Sequence, residues 1–505
     1  MLTHGNHTTY TMLEKQTAKQ PAKDFLVFED ENYSYSSMFE RVNQLARWFE
    51  QKGIHKGDTV AAFLSNSPFF YETWFACGAI GAVLLPINTA ATASELDYFL
   101  EHSESKGFLY EKDLVNDQHI ETAKQKHLAF CQENDDTWYK EIRILSTERI
   151  DRQVSPADVA GIMYTSGTTA KPKGVLITHE NYLFAGHSSV LYQQLNRDDR
   201  YLIFLPLFHV NSQYYTSMAM LVCGGTIALA KRFSSSTFWD TVQKHKPTVT
   251  SLVATTIKML LEKPEHPSEK DNSLRQAGYG LFVPTNDLLL FQKRFNIKLF
   301  QWYGMTESIT TNIVTPLYEE MPIDSRTGIS AIGKAALGHQ VKILDEEGKE
   351  LPANQVGQIV VAGPSLMKGY YKNPEATAQT LQNGWLFTGD NGYANEDGFI
   401  WFVDRNKDMI KRAGENISSI EIENVLSNHP AIQACAVIGE PDPLREEAVI
   451  AYVKLYDGET VEEQELHDYC AKDLSYFKIP QDFRFIDDFP RTSIGKIQKN
   501  LLRKK

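Results

Sequence analysis

Between residues 34 and 252 helical and extended patterns alternate, and this alternation limits the fold more than any other feature of the chain. Ser37 to Lys52 places Met38, Val42, Leu45, Ala46 and Phe49 on one face at helical spacing, and Gly53 stops the run. Gly57-Asp58 then turns the chain into an apolar strand, Thr59 to Leu64, followed by an expected amphipathic helix and a strand from Val83 to Ile87. The rhythm resumes with strands at 160–164, 201–205, 226–230 and 248–252, separated by helices at 179–194, 212–223 and 236–245. Short apolar strands joined through helices predict an α/β chain with doubly wound sheets.

From residue 326 the texture changes to short segments of two-residue period broken by Gly, Asp and Pro, which predicts an antiparallel β-barrel or ribbon. After Asp404-Arg405 it changes again: helices at 419–428 and 461–473, with strands at 431–438, 448–455 and 483–487, read as a compact α+β unit. The expected organisation is a large domain over 1–404, its barrel part at about 326–404, and a small mobile domain over 405–505. The charged junction VDRNKDMIKRAGENIS reads as the hinge, and the final Arg503-Lys504-Lys505 as a solvated tail.

Charge and cysteine usage narrow the partners. A net charge of −13 argues against non-specific binding of nucleic acid or anionic membrane, so any polyanionic ligand must be held by a local basic site. The longest uncharged apolar run, Trp74 to Ile87, is shorter than the ~18 residues needed to span a bilayer. The first ten residues lack a signal-peptide pattern, and five dispersed cysteines without a CxxC pair suit a reducing cytoplasm.

The chemistry is concentrated in motifs. Tyr164 to Gly174 reads YTSGTTAKPKG and is expected between a strand and a helix. Its small residues let backbone N–H groups approach a polyphosphate, and Lys171 and Lys173 offset the charge, although it is not a Walker A loop. Further along stand Tyr303-Gly304-Met305-Thr306-Glu307, Thr388-Gly389-Asp390, Asp404-Arg405 with Lys407, and Pro490-Arg491-Thr492-Ser493-Ile494-Gly495-Lys496. In this order and spacing they resemble the adenylate-forming superfamily: acyl-CoA synthetases, peptide-synthetase adenylation domains and luciferases. The resemblance runs from about residue 30 to 500.

The resemblance implies ATP and coenzyme A as substrates and Mg²⁺ as the metal. It assigns Thr165, Ser166, Gly167, Thr168, Thr169 and Lys173 to the phosphates, and Tyr303, Gly304 and Thr306 to the adenine side. It gives Asp390 and Arg405 to ribose or phosphate, and Glu307 to the metal, assisted by Thr165 or Thr306. Lys496 becomes the catalytic lysine of adenylation, and Lys407 the hinge residue. Lys411, Gly414 and Glu415 fall on the loop lining the thiol tunnel. His209 is expected to gate pantetheine entry, while Asn211, Tyr214 and Tyr279 either line the acyl pocket or pack the core. Ala277 to Phe282 (AGYGLF) departs from the Gly-Gly-Ala-Pro pattern common there, which makes transfer of acyl-pocket roles unsafe.

An acyl-CoA synthetase is the reading these motifs favour. A stand-alone enzyme loading a carrier protein is the alternative, and an inactive nucleotide-binding relative is a third reading, weakened by the presence of Lys496, Glu307 and Asp390. Residues 210–215 contain no acid to pair with an amino group, which disfavours amino acids. The region from Pro206 to Ser251 resembles crotonobetaine/carnitine-CoA ligases and fatty acyl-CoA ligases, so the expected substrate is a fatty or betaine-like carboxylic acid. No nucleic acid or inserted membrane partner is expected, and a homodimer is left open.

Overall fold

The structure, a computed structural model, describes residues 7–165, 171–492 and 495–503. Two mainly parallel sheets carry the first three hundred residues. The seven-stranded sheet runs in the order Gly369–Tyr370, Lys173–Thr178, Val159–Thr165, Val83–Pro86, Thr59–Phe63, Ser105–Tyr110, Phe130–Glu133. The nine-stranded sheet has a parallel centre of Lys298–Tyr303, Gln276–Gly280, Val249–Val253, Arg200–Ile203, Thr226–Leu229 and Asp24–Phe28. Short antiparallel strands close both of its edges.

The sequence pattern explains most of this and misses some of it. The helix Tyr35–Gln51 buries Met38, Val42, Leu45 and Phe49 as its periodicity requires. The next helix, Pro68–Ile80, is not the amphipathic element expected, because every one of its residues is buried. Its sequence PFFYETWFACGAI is apolar on all sides, so it packs as a fully enclosed core element. Its one carboxylate, Glu72, is buried yet paired with Arg41 and Arg143 and accepts a 2.7 Å hydrogen bond from Tyr139. The expected helix at 212–223 begins as a π-helix, Asn211–Ser217, and becomes α-helical only over Met218–Cys223.

Three further differences concern the expected units. The Tyr164–Gly174 motif joins two antiparallel strands, Val159–Thr165 and Lys173–Thr178, rather than a strand and a helix. The apolar run GVLIT after Lys173 folds back on its predecessor, and the helix starts only at His179, capped by Thr178. The segment 326–404 is also not one unit. Lys334–Ala335 extends the nine-stranded sheet and Gly369–Tyr370 the seven-stranded one. Between them lies an antiparallel sheet of Gln340–Leu344, Gly357–Ala362, Leu381–Gln382, Trp385–Ala394 and Ile400–Arg405. Among the described residues its edge strands do not pair with each other to close a barrel. Finally, Arg503 is not a free tail residue, since its Nη1 lies 3.1 Å from Asp408 Oδ1.

Beyond Arg405 a separate sheet is built from Ile410–Arg412, Glu415–Ile417, Ile432–Asp442, Glu446–Leu455 and Asp482–Phe485, backed by the helices Ser419–Ser427 and Glu463–Cys470. It has its own core around Ile410, Ile422, Leu426, Val437, Val449 and Val453. No helix among the described residues is long and apolar enough to cross a membrane.

Candidate active site

Parallel sheets bind ligands beyond the carboxyl ends of their strands, where loops can converge without blocking the core. Thr165 ends one strand of the seven-stranded sheet. Tyr303 and Gly280 end two strands of the nine-stranded sheet, and His209 follows the strand Arg200–Ile203. The antiparallel sheet adds Asp390 and Arg405, which face each other in register across two strands.

Tyr303 donates its hydroxyl to Asp390 Oδ2 at 2.7 Å, and Arg405 Nε lies 3.7 Å from Asp390 Oδ1. Burial pushes the Asp390 carboxyl upward, against the pull of Arg405, the Tyr303 hydroxyl and Lys496. Lys496 reaches this cluster from the far end of the chain. Burial and the charge of Arg405 lower its ammonium to about 7, against the attraction of Asp390 and Asp408 and with a further push from Lys407. The loop before it is held by Gly495, whose carbonyl accepts from Thr255 Oγ1 at 3.2 Å and Arg491 Nη1 at 2.9 Å. Residues more than a hundred positions apart thus surround one buried, half-compensated charge.

Glu307 lies in the short turn Thr306–Ser308 and is buried. Burial raises its carboxyl, while the Tyr370 hydroxyl, donating at 2.8 Å, and the charge of Lys173 draw it down. Lys173 Nζ sits 4.8 Å from the Tyr370 ring centroid. The turn is followed by Ile309 at φ 59°, a left-handed conformation that costs a β-branched residue about 1–3 kcal/mol. Gly304 allows the tight fold here, because a Cβ on it would meet Thr310 O at 2.5 Å and the Tyr215 hydroxyl at 2.9 Å.

On the opposite side of the strand, Trp302 lies across the glycines of its neighbour; a Cβ on Gly278 would fall 2.3 Å from the indole. Tyr215 packs against Trp302 at 5.3 Å between centroids. His209 lies tilted against Phe208 at 4.7 Å between ring centroids, and burial lowers its imidazole to about 4, so it is neutral at pH 7. Asn211 opens the π-helix and accepts from Ser251 Oγ at 2.8 Å. Tyr214 is wholly buried against Tyr182 and Met163, and Tyr279 is buried with its hydroxyl on Gln301 at 3.2 Å, so both lie in the core.

A profile of the AMP-binding enzyme family matches residues 13–371, and that of the AMP-binding enzyme C-terminal domain matches 421–496. The chain belongs to the AMP-binding enzyme family. It is 37% identical to a crotonobetaine/carnitine–CoA ligase of Citrobacter koseri across 95% of this chain and 96% of that protein. The corresponding ligase of Proteus mirabilis is also 37% identical over the same shares. Among solved structures, ATP-bound MatB from Rhodopseudomonas palustris superposes with a TM-score of 0.91 at 28% identity, covering 99% of both chains. O-succinylbenzoate coenzyme A synthetase from Bacillus subtilis, in complex with AMP, gives a TM-score of 0.86 at 30% identity, covering 99% of this chain and 98% of that one.

The family's magnesium can be tested against the donors present. No group of three or more His, Cys, Asp or Glu converges among the described residues. A single buried carboxylate beside hydroxyls and a lysine suits a Mg²⁺ that takes most of its ligands from substrate phosphates and water, so Glu307 fits. Thr306 adjoins it in the same turn, while Thr165 stands at the entrance of the phosphate-loop hairpin. Ser166, Gly167, Thr168 and Thr169 lie outside the described residues. Lys411, Gly414 and Glu415 sit on the hairpin of Ile410–Arg412 and Glu415–Ile417, with Ala413 and Gly414 at φ 51° and 83° in its turn. Among the described residues no hydrogen bond or ion pair joins that hairpin to the Asp390 cluster. Tyr370 and Thr255 were not singled out by the sequence. Tyr370 arrives through the pairing of Gly369–Tyr370 with Lys173–Thr178, a contact with no local signal.

Proposed function

We propose that this AMP-forming acid–thiol ligase joins a carnitine- or crotonobetaine-like carboxylic acid to coenzyme A, with ATP as the activating substrate. A carboxylate oxygen attacks the α-phosphorus of ATP, the new O–P bond forms, and the bond to pyrophosphate breaks. The coenzyme A sulfur, its proton lost to solvent, then attacks the acyl carbon of the adenylate, and AMP leaves. Chemistry of this kind depends on in-line positioning and charge neutralisation more than on covalent help.

The observation that carries this reading is the buried cluster in which Tyr303 donates to Asp390 and Arg405 faces it in register, with the loop of Lys496 held by Thr255 and its ammonium in their field. Its ammonium is positioned to neutralise the charge that gathers between the attacking carboxylate and the α-phosphate. Asp390 and Arg405 hold the ribose, Tyr303 and Gly304 face the adenine, and Lys173 with the loop at 165–169 receives the phosphates. Mg²⁺, when bound, draws charge from the phosphate oxygens, and Glu307 with Thr306 or Thr165 holds it. The small domain, starting at 405, turns about Lys407 so that Lys411, Gly414 and Glu415 reach the thiol path in the second half-reaction. His209 borders that path as a neutral ring. The five cysteines carry no disulfide, which suits the cytoplasm.

Two features support a quaternary-ammonium acid. Both named relatives at 37% identity are crotonobetaine/carnitine–CoA ligases. Tyr215 and Trp302, packed together and buried at the end of the Lys298–Tyr303 strand, are the rings whose quadrupoles would hold a permanent cation. Hydroxamate trapping over a panel of acids tests this. Carnitine and crotonobetaine should turn over at least about tenfold better than hexanoate, a cation–π preference of ~1.4 kcal/mol. Turnover confined to hexanoate and longer acids would remove the betaine reading and leave the ligase.

A pH profile tests Lys496 separately. The free protein loses its ammonium as pH rises through about 7. Bound polyphosphate favours the charged form. Hence kcat/KM for ATP in adenylate formation should fall above about pH 7, while kcat falls only at higher pH. Lys496→Arg, whose guanidinium stays charged, should lose that alkaline limb even where its absolute rate is lower. A wild-type profile flat between about pH 6 and 9 would contradict the assignment.

A further inference from the structure

The segment after Lys496 contains a buried ion pair that the reaction as described does not use. Lys499 Nζ lies 2.7 Å from Glu423 Oε1 and donates to Ser419 Oγ at 2.6 Å. The lysine and glutamate side chains are only 16% and 13% exposed. Ser419 in turn donates to Asp404 Oδ2 through its backbone N–H at 2.8 Å and its hydroxyl at 2.6 Å. Asp404 is the last residue but one of the strand Ile400–Arg405, where the large domain hands over to the small one. Glu423 also accepts from Val437 N–H at 2.7 Å, which seats the pair on the small domain's sheet. The short helix Lys499–Leu502 is pinned from below, with Leu502 buried and its carbonyl accepting from Tyr452 at 3.3 Å.

We propose that Lys499 is a positioning residue for Lys496: the chain Asp404–Ser419–Lys499–Glu423 ties the loop bearing Lys496 to the hinge and holds it in the adenylate-forming arrangement. Three residues span at most about 10 Å, so fixing Lys499 limits where the base of Lys496 can lie. On the other side Thr255 of the large domain holds Gly495. The catalytic loop is thereby suspended between a hinge anchor and a large-domain anchor. The pair satisfies its own charges in a buried place, and loss of one partner alone would strand the other. Burial raises the Glu423 carboxyl and Lys499 opposes this, as expected of partners that need each other. The inference rests on Lys496 acting in adenylation.

The test uses the full chain and the variant Lys499→Met/Glu423→Gln, which removes both charges and keeps an acceptor for Val437. Adenylate formation is followed by pyrophosphate exchange, and thiolysis with a supplied acyl-adenylate. A displacement of about 1 Å at a reacting group costs on the order of a hundredfold, so kcat for adenylation should fall about tenfold to a hundredfold with KM for ATP little changed. Thiolysis should keep its rate. Ser419→Ala, which keeps the ion pair and the backbone N–H bond to Asp404 but removes the hydroxyl that links Lys499 to Asp404, should show the same selective loss to a smaller degree, and it stands as the test if the double variant does not fold. Parallel loss of both half-reactions, or no loss in either, overturns the proposal. Lys496→Ala run beside them separates the two ideas. If it spares adenylation, the underlying assignment fails; if it abolishes adenylation while the Lys499 and Ser419 variants do nothing, only the positioning role fails.

Discussion

Replacing Lys496 with alanine is expected to slow adenylate formation by about a thousandfold, roughly 4 kcal/mol of transition-state stabilisation, while thiolysis of a supplied acyl-adenylate proceeds at the native rate. The asymmetry follows from when the charge is needed. Negative charge accumulates between carboxylate and α-phosphate only in the first half-reaction, and the proposed role sets Lys496, which stands in the field of Asp390 and Arg405, against that charge. The ammonium is preorganised: its loop is tied to Thr255 on the large domain, so little reorganisation accompanies the reaction. Its depressed protonation in the free protein means that the polyphosphate completes the ion pair, and the binding of ATP therefore supplies part of the charge it will meet. Pyrophosphate exchange and single-turnover thiolysis measure the two steps separately. Equal loss in both would show that alanine at 496 disturbs the small domain rather than the chemistry.

Glu307→Gln is expected to lower adenylation by about a hundredfold at saturating ATP and to raise the Mg²⁺ concentration needed for half-maximal rate. Stability should hold or increase. The Glu307 carboxyl is pushed upward by burial, so at neutral pH its charge is a cost to the folded state in the metal-free protein. The substituted amide removes that cost, and its oxygen can still accept from the Tyr370 hydroxyl, which donates at 2.8 Å to the native side chain. A thermal melt and a magnesium titration on the same preparation give both quantities. Loss of activity with a matching fall in Tm would mean a structural role, and native activity at low magnesium would free Glu307 from the metal.

Much of this architecture was legible in order along the chain. The helix Tyr35–Gln51 comes from local periodicity, because a buried face repeats every 3.6 residues whatever the partner, and the strands at 59–63, 83–86 and 226–229 come from short apolar runs whose every residue is buried. The helix Pro68–Ile80 misled because an all-apolar segment carries no face to read. The phosphate-loop hairpin misled for another reason. A short apolar run such as GVLIT fits a strand or a helix start equally, and its pairing with Val159–Thr165 decides. The same pairing puts Lys173 at the start of a strand, and the next helix begins only at His179.

For the site, the motifs named Lys496, Glu307, Asp390, Arg405 and Tyr303 in sequence, since each needs a particular chemical group at a particular place in a segment. By itself the sequence determined which groups are available, that the chain folds as alternating α/β with a separate C-terminal unit, and that anion binding must be local in a chain of net charge −13. Only the tertiary structure decided which of these groups share a field. Asp390 meets Tyr303 and Arg405 through strand register, and Glu307 meets Tyr370 and Lys173 through a strand added from two hundred residues away. It also decided that Tyr214, Tyr215, Tyr279 and Trp302 are all buried, with the Tyr215 hydroxyl beside Gly304 and the Trp302 indole across Gly278. The physical reason is range. Periodicity and turn chemistry act over a few residues, whereas burial and Coulomb interaction depend on distance in space, which is set only when the sheets pair.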